Sequence, residues 1–93
     1  MKYTVKFTSR FKKDFKKAEK QKKDIKKLKA VIAALSNGEK LDDTYKDHEL
    51  KGIFKGKREC HIEPDWLLIY EYEDNELILY LIRTGSHSDL LDM

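Results

Sequence analysis

Tyr3, Val5 and Phe7 alternate with Lys2, Thr4 and Lys6, the period of a half-buried strand. Thr8 or Ser9 is placed to cap a helix behind it. Phe11, Phe15 and Ala18 then recur at helical spacing, and Ile25, Leu28, Ile32 and Leu35 continue the stripe until Ser36-Asn37-Gly38 stops it, with Gly38 as the residue after the cap. No Gly or Pro interrupts residues 10–36. One helix of that length would run about 40 Å and overhang a domain of this size. The pattern therefore predicts a helical hairpin that breaks near Lys20–Lys23, with Asp24 as the N-terminal acid of the second helix.

Residues 38–53 form a long polar connection, pinned by Leu41, Tyr45 and Leu50. From Phe54 the period returns to two. Phe54, Gly56, Arg58, Cys60 and Ile62 lie on one face of a strand, and Lys55, Lys57, Glu59 and His61 on the other. Glu63-Pro64-Asp65 is a rigid bend. Trp66–Glu73 reads as a central strand, apolar on both faces at its start. Asp74-Asn75 turns the chain into a fourth strand, Glu76–Arg83, which Thr84-Gly85-Ser86 ends. Thr84 or Ser86 then caps a short helix holding His87, Leu90 and Leu91. The expected fold is one α+β domain over residues 1–93: an N-terminal strand, a helical hairpin, an antiparallel three-stranded meander and a short C-terminal helix.

Composition adds little to that outline and charge adds more. Ten aromatics and 40% apolar residues are enough for one core, so disorder is not expected. A single cysteine, Cys60, gives no internal disulfide and no reason to invoke an oxidising compartment. No uninterrupted apolar run, Trp66–Tyr70 included, comes near the roughly 20 residues that span a bilayer. Lys2 and Lys6 precede no apolar signal segment. A cytoplasmic protein with no membrane partner is expected. The net charge of +3 hides an asymmetry: thirteen Lys/Arg against three Asp/Glu over residues 1–35, then seven against fourteen. Lysine runs are commonly just solvated, but this density favours a polyanionic partner such as nucleic acid.

The groups suited to chemistry gather late in the chain. His48 sits in the long connection, His61 before the Pro bend and His87 after the Thr-Gly-Ser break. Glu59 shares a strand face with His61, and Asp65 lies across the bend. Histidine titrates near neutrality, so two of them can serve as general base and general acid. Asp47, His48, His61, Asp65 and His87 are also metal-ligand types, yet their spacing matches no recognised metal motif. No metal and no cofactor are expected. Cys60 points away from His61 and belongs to the core rather than to catalysis. Trp66 can stack on a base or pack, and its place at the start of an apolar strand favours packing. Lys57 and Arg83 can clamp a phosphate, with a structural ion pair as the alternative for Arg83.

Three segments in order carry a resemblance: Tyr45-Lys46-Asp47-His48-Glu49-Leu50-Lys51-Gly52, His61-Ile62-Glu63-Pro64-Asp65-Trp66-Leu67-Leu68-Ile69-Tyr70, and Arg83-Thr84-Gly85-Ser86-His87-Ser88-Asp89-Leu90. With Lys55-Gly56 and Arg58 between them, they resemble the YafQ subgroup of RelE-type toxins, the mRNA interferases of bacterial toxin–antitoxin pairs. The resemblance spans essentially the whole chain. It implies a RelE-like, microbial-ribonuclease-type fold that enters the ribosomal A site and cuts mRNA there without a metal, by attack of a ribose 2′-OH. It implies a cognate antitoxin, the ribosome and mRNA as partners. The subgroup's functional positions match His48, His61, Asp65 and His87, with Trp66 nearby. Glu59 stands where the subgroup can have Asp, which keeps the charge on a longer arm. Leu91 stands where it can have a terminal Phe, which removes a stacking ring. Glu59, Lys57, Trp66, Arg83 and Leu91 are the expected substrate-binding set. Rival readings are a ParE-like non-catalytic inhibitor on the same scaffold and a plain basic RNA-binding module.

Overall fold

The computed structural model describes the backbone over residues 2–91 and side chains over residues 2–90. Strand β1, Thr4–Phe7, leads directly into helix α1, Ser9–Lys20. Thr8 makes that junction: its hydroxyl accepts from the Phe11 amide (2.9 Å) and donates to the Ile82 carbonyl (2.7 Å), so one residue caps the helix and ties it to the last strand. The hairpin breaks where expected. Lys22 takes a left-handed conformation (φ 58°), and the Asp24 carboxylate accepts from the Lys26 amide to cap α2, Ile25–Ser36.

Three features differ from the pattern read along the chain. The connection contains a two-residue strand, β2 (His48–Glu49), paired antiparallel to β3 (Arg58–Glu63). It also contains short 3-10 turns at Asp43–Tyr45 and Gly52–Phe54, and the second delays β3 from Phe54 to Arg58. Strand β5 covers Ile78–Gly85, two residues later at each end than expected. Leu77 is left-handed (φ 53°) and cannot join the strand. At the other end the Thr84 hydroxyl donates to the Leu67 carbonyl (2.7 Å) and accepts from the Trp66 indole N–H (3.0 Å), which holds the supposed breaker in the sheet.

Strand β4, Trp66–Glu73, is the centre of a five-stranded sheet ordered β1-β5-β4-β3-β2. The β3, β4 and β5 strands form the antiparallel meander, and β1 adds parallel to β5. One sheet face carries Cys60, Ile62, Leu68, Tyr70, Leu79 and Leu81 against Phe11, Ala18, Leu28, Val31 and Leu35 of the helices. The other face carries Leu67 and Ile69, covered by Leu90 of α3 (His87–Leu91) with Leu50, Phe54 and Ile82 beside it. This is the expected α+β, RelE-like plan, with both the helical hairpin and the meander in place. Among the described residues, no helix is long and apolar enough to cross a membrane.

Candidate active site

The alternation of β3 places Glu59 and His61 on the face that the two long helices leave open. The β2–β3 register then sets His48 opposite Glu59. Two contacts from Asp47 fix that edge strand: its carboxylate accepts from Arg58 Nε (3.1 Å) and from the Tyr70 hydroxyl (2.6 Å). Burial and that carboxylate together push the Tyr70 phenol well above its ordinary range, so it stays a donor. On the far side, α3 brings His87 to the same place. The three imidazoles form a row, with ring centroids 6.4 Å apart for His48–His61 and 5.5 Å for His61–His87.

Hydrogen bonds identify the protonated nitrogen on the two outer rings. His48 Nδ1 lies 2.8 Å from the Lys46 carbonyl, and a carbonyl only accepts, so Nδ1 carries the hydrogen. Its Nε2 faces Glu59 Oε1 at 3.6 Å, and His61 Nε2 faces the same oxygen at 3.7 Å. Glu59 is 3% exposed, and its Oε2 is buried with no hydrogen-bond partner. A buried carboxylate is costly unless it is compensated; each imidazole does so only with a hydrogen on the Nε2 that faces it, which for His48, already protonated at Nδ1, means the imidazolium. Glu59 thus sits beneath the histidines rather than beside a substrate.

Asp65 and His87 form a clasp across the β3–β4 turn. Asp65 Oδ1 accepts from both the His87 amide (3.0 Å) and His87 Nδ1–H (2.7 Å). Those two bonds hold the Asp65 carboxyl below the usual carboxylate range, so it is ionised and the imidazole is the donor. His87 Nε2 remains available for proton transfer, the arrangement in which a carboxylate orients an acid–base histidine. The helix behind it has a reciprocal cap. The Asp89 amide donates to Ser86 Oγ (3.1 Å), and the Ser86 amide donates to Asp89 Oδ2 (3.4 Å).

The structure therefore brings His48, Glu59, His61, Asp65 and His87 together. It puts the other expected binders elsewhere. Trp66 is 1% exposed and its indole N–H is spent on Thr84, so packing prevails and no ring face is open to a base. Arg83 forms a two-pronged ion pair with Asp14 of α1 (2.9 and 3.0 Å). The structural alternative holds there too. Lys57 shares the open face with Glu59 but pairs with Glu71 at 3.5 Å. The Leu91 side chain lies outside the described residues. Cys60 is fully buried, and burial pushes its thiol up to about 12, which removes it as a nucleophile. Beside His61 and His87 opens a cleft of about 550 Å³ that also takes in Lys27, Tyr45 and Lys46. Sequence reading missed these three as site residues. Tyr45 and Lys46 open the first segment that carries the resemblance, Tyr45 also anchoring the connection, but neither type stands out there as a site group, and nothing in a lysine-rich helix singles out Lys27.

Comparison with known proteins decides the family. The model described as "Bacterial toxin of type II toxin-antitoxin system, YafQ" matches residues 3–92. This chain belongs to the YafQ family. The mRNA interferase toxin YafQ of Escherichia coli K12 is 42% identical to it over 87 residues, covering 92% of each. The toxin in the crystal structure of the E. coli DinJ–YafQ toxin–antitoxin complex superposes with a TM-score of 0.87 at 40% identity, over 98% of this chain and 99% of that one. A metal-bound toxin from Helicobacter pylori superposes at 0.90 with 43% identity, over 96% and 99%. Among the described residues of this YafQ-family chain, no three His, Cys, Asp or Glu side chains are arranged to hold a metal ion. Two of its three histidines are turned onto one carboxylate, and the third is clasped by Asp65.

Proposed function

We propose that this chain is an endoribonuclease that cuts mRNA on the ribosome, and that a cognate antitoxin holds it inactive. The observation that carries the reading is the His87–Asp65 clasp facing His61: an oriented acid–base imidazole within one nucleotide's reach of a second. In this mechanism the ribose 2′-OH gives its proton to His61 or His48 and its oxygen attacks the adjacent phosphorus. The bond from phosphorus to the 5′-oxygen breaks, and His87 supplies the proton that lets the 5′-oxygen leave. The products are a 2′,3′-cyclic phosphate and a 5′-OH. Asp65 orients His87, and Glu59 stabilises positive charge on its two histidines as the proton moves. No metal enters any step.

The antitoxin assignment is supported by the complex that the related E. coli toxin forms with DinJ. The ribosome requirement is supported by how open the site is: His48 and His87 keep about half of their side-chain surface exposed, so little in the protein alone can hold an RNA strand in line for attack. The test is to map mRNA 3′ ends with translating ribosomes and with naked RNA, using protein stripped by a chelator and desalted first. Cuts should appear on ribosomes and be scarce on naked RNA. His87→Ala should lower single-turnover cleavage by about 10²-fold or more, and an mRNA with sulfur in place of the 5′-oxygen should recover much of the loss. Equal cutting of naked RNA, activity that needs metal restored, or an unimpaired mutant would overturn the reading.

A further inference from the structure

Strand β2 carries His48 to the site, yet little holds the strand itself. It pairs with β3 only where His48 lies opposite Glu59 and Glu49 opposite Arg58, and both of its side chains are exposed. Packing therefore does not fix it. Leu50 extends the pairing by one bond, its amide donating to the Lys57 carbonyl at 2.8 Å. The residue just before the strand does more. The half-buried Asp47 carboxylate accepts from Arg58 Nε (3.1 Å) and from the Tyr70 hydroxyl (2.6 Å) on the helix-facing side of the sheet. Arg58 and Tyr70 lie opposite each other in the β3–β4 register, so one carboxylate fastens the edge strand to two others at once. Tyr70 is buried. A buried hydroxyl needs a partner, and Asp47 supplies it.

The consequence falls on the peptide to either side of Asp47. Lys46 is left-handed (φ 50°, ψ 41°), and its amide donates to the Asp43 carbonyl at 3.0 Å. A non-glycine residue keeps that conformation only where its surroundings hold it. Here the Asp43–Tyr45 turn holds one end and the Asp47 anchor the other. The Lys46 carbonyl is thereby brought to 2.8 Å from His48 Nδ1. The bond made by one ring nitrogen decides which of the two carries the proton. With Nδ1 donating, a neutral His48 has its lone pair on Nε2, the nitrogen that faces Glu59. If the carbonyl moved away, the proton could settle on Nε2, and the ring would offer no acceptor on that side. An acid–base histidine in the wrong tautomer is disabled even where its position is unchanged.

We propose that Asp47, fastened by Arg58 and Tyr70, is a positioning residue that holds the Lys46 carbonyl on His48 and so fixes Nε2 as the atom through which His48 exchanges a proton with RNA. The proposal rests on the endoribonuclease reading and deepens it. Asp47 touches no substrate, and its effect reaches the reaction only through His48. The helix-facing side of the sheet is thus coupled to the chemistry on the opposite face.

The test uses the full chain, isotopically labelled at the histidine ring nitrogens, as wild type, Asp47→Ala and Tyr70→Phe. With the rings neutral, NMR should show wild-type His48 protonated at Nδ1. Asp47→Ala should move His48 toward the Nε2–H tautomer and leave the His61 and His87 signals in place. Its single-turnover cleavage on ribosomes should fall by about 10-fold to 10²-fold at saturating protein, while the protein concentration for half-saturation stays unchanged. Tyr70→Phe removes one oxygen from the same network and should show the same two changes at smaller size. It carries the test if Asp47→Ala does not fold. A merely structural role would lower the unfolding midpoint and leave the His48 tautomer where it was. An unmoved tautomer or undiminished cleavage in Asp47→Ala, or in Tyr70→Phe where the first does not fold, overturns the proposal, as does a neutral wild-type His48 protonated at Nε2. If wild type itself cuts no ribosomal mRNA, the endoribonuclease reading fails, and the tautomer alone decides whether Asp47 positions His48.

Discussion

Cys60 and His61 are neighbours whose surroundings have nothing in common: the thiol is sealed between sheet and helices, while the imidazole faces the open side. Strand alternation alone decides that difference, which is why the Glu59–His61 side of the site could be read from the chain. Alternation says nothing about partners far away in sequence. The ion pair between Arg83 and Asp14 and the Trp66–Thr84 bond each join separate elements, and both turned expected ligand contacts into structural ones. The Asp65–His87 clasp was half legible, because both residues flank breaks but only the β3–β5 arrangement makes the breaks adjacent. Its pH dependence follows from the Asp65 carboxyl. A carboxyl whose folded value is depressed contributes stability above its ordinary value near 4, and loses it as pH falls through the lowered value. The Asp65 carboxyl resonance should therefore titrate below about pH 4, and the bond it accepts from the His87 amide should be lost with it. Asp65→Asn should abolish that acid step. An unchanged step in the mutant would show that another carboxyl controls α3.

At the scale of elements, length decides the helical hairpin. Two 12-residue helices fit within a molecule of 34 × 30 × 28 Å, where one unbroken helix would have projected beyond it. The break is held by Lys22 in a left-handed turn and by the Asp24 cap, the second of which was visible in advance. Strand β2 was not, because two residues carry no period. It exists because Asp47 anchors it from the helix-facing side, and it is what delivers His48. Helix α1 owes its docking in part to Asp14, which binds Arg83 through two oxygens and also accepts from the Thr84 amide (3.2 Å). The pair is only 11–14% exposed. Removing one partner of a fully buried pair costs about 3–5 kcal/mol, and the remaining solvent contact lowers that here. Asp14→Ala should cost about 2–3 kcal/mol in urea unfolding while the histidine row, carried on other elements, keeps its geometry. A loss under about 0.5 kcal/mol would mean that the pair behaves as a surface bridge.

Over the whole molecule, the +10 charge of residues 1–35 belongs almost entirely to the hairpin, which packs on the sheet face opposite the histidines. The structure also sorts the lysines. Lys27 is engaged with Glu63, Lys17 with Asp89, and Lys23 lies over the Trp66 ring (5.5 Å), so these three are partly committed to the fold. Lys12, Lys16, Lys20 and Lys26 are exposed on the helices. If the hairpin meets ribosomal RNA, as the proposed function requires of some basic surface, those four should carry much of the attraction. Changing all four to Glu removes up to four phosphate contacts. Each such contact contributes about 0.9 to the slope of log affinity against log salt on duplex nucleic acid, so the slope should flatten by up to about 3–4. Single-turnover cleavage at saturating protein should fall much less than affinity, since no mutated residue lies at the histidines. An unchanged salt slope would reduce the lysines to a solvating coat and shift ribosome recognition to the turn and cleft around Pro64.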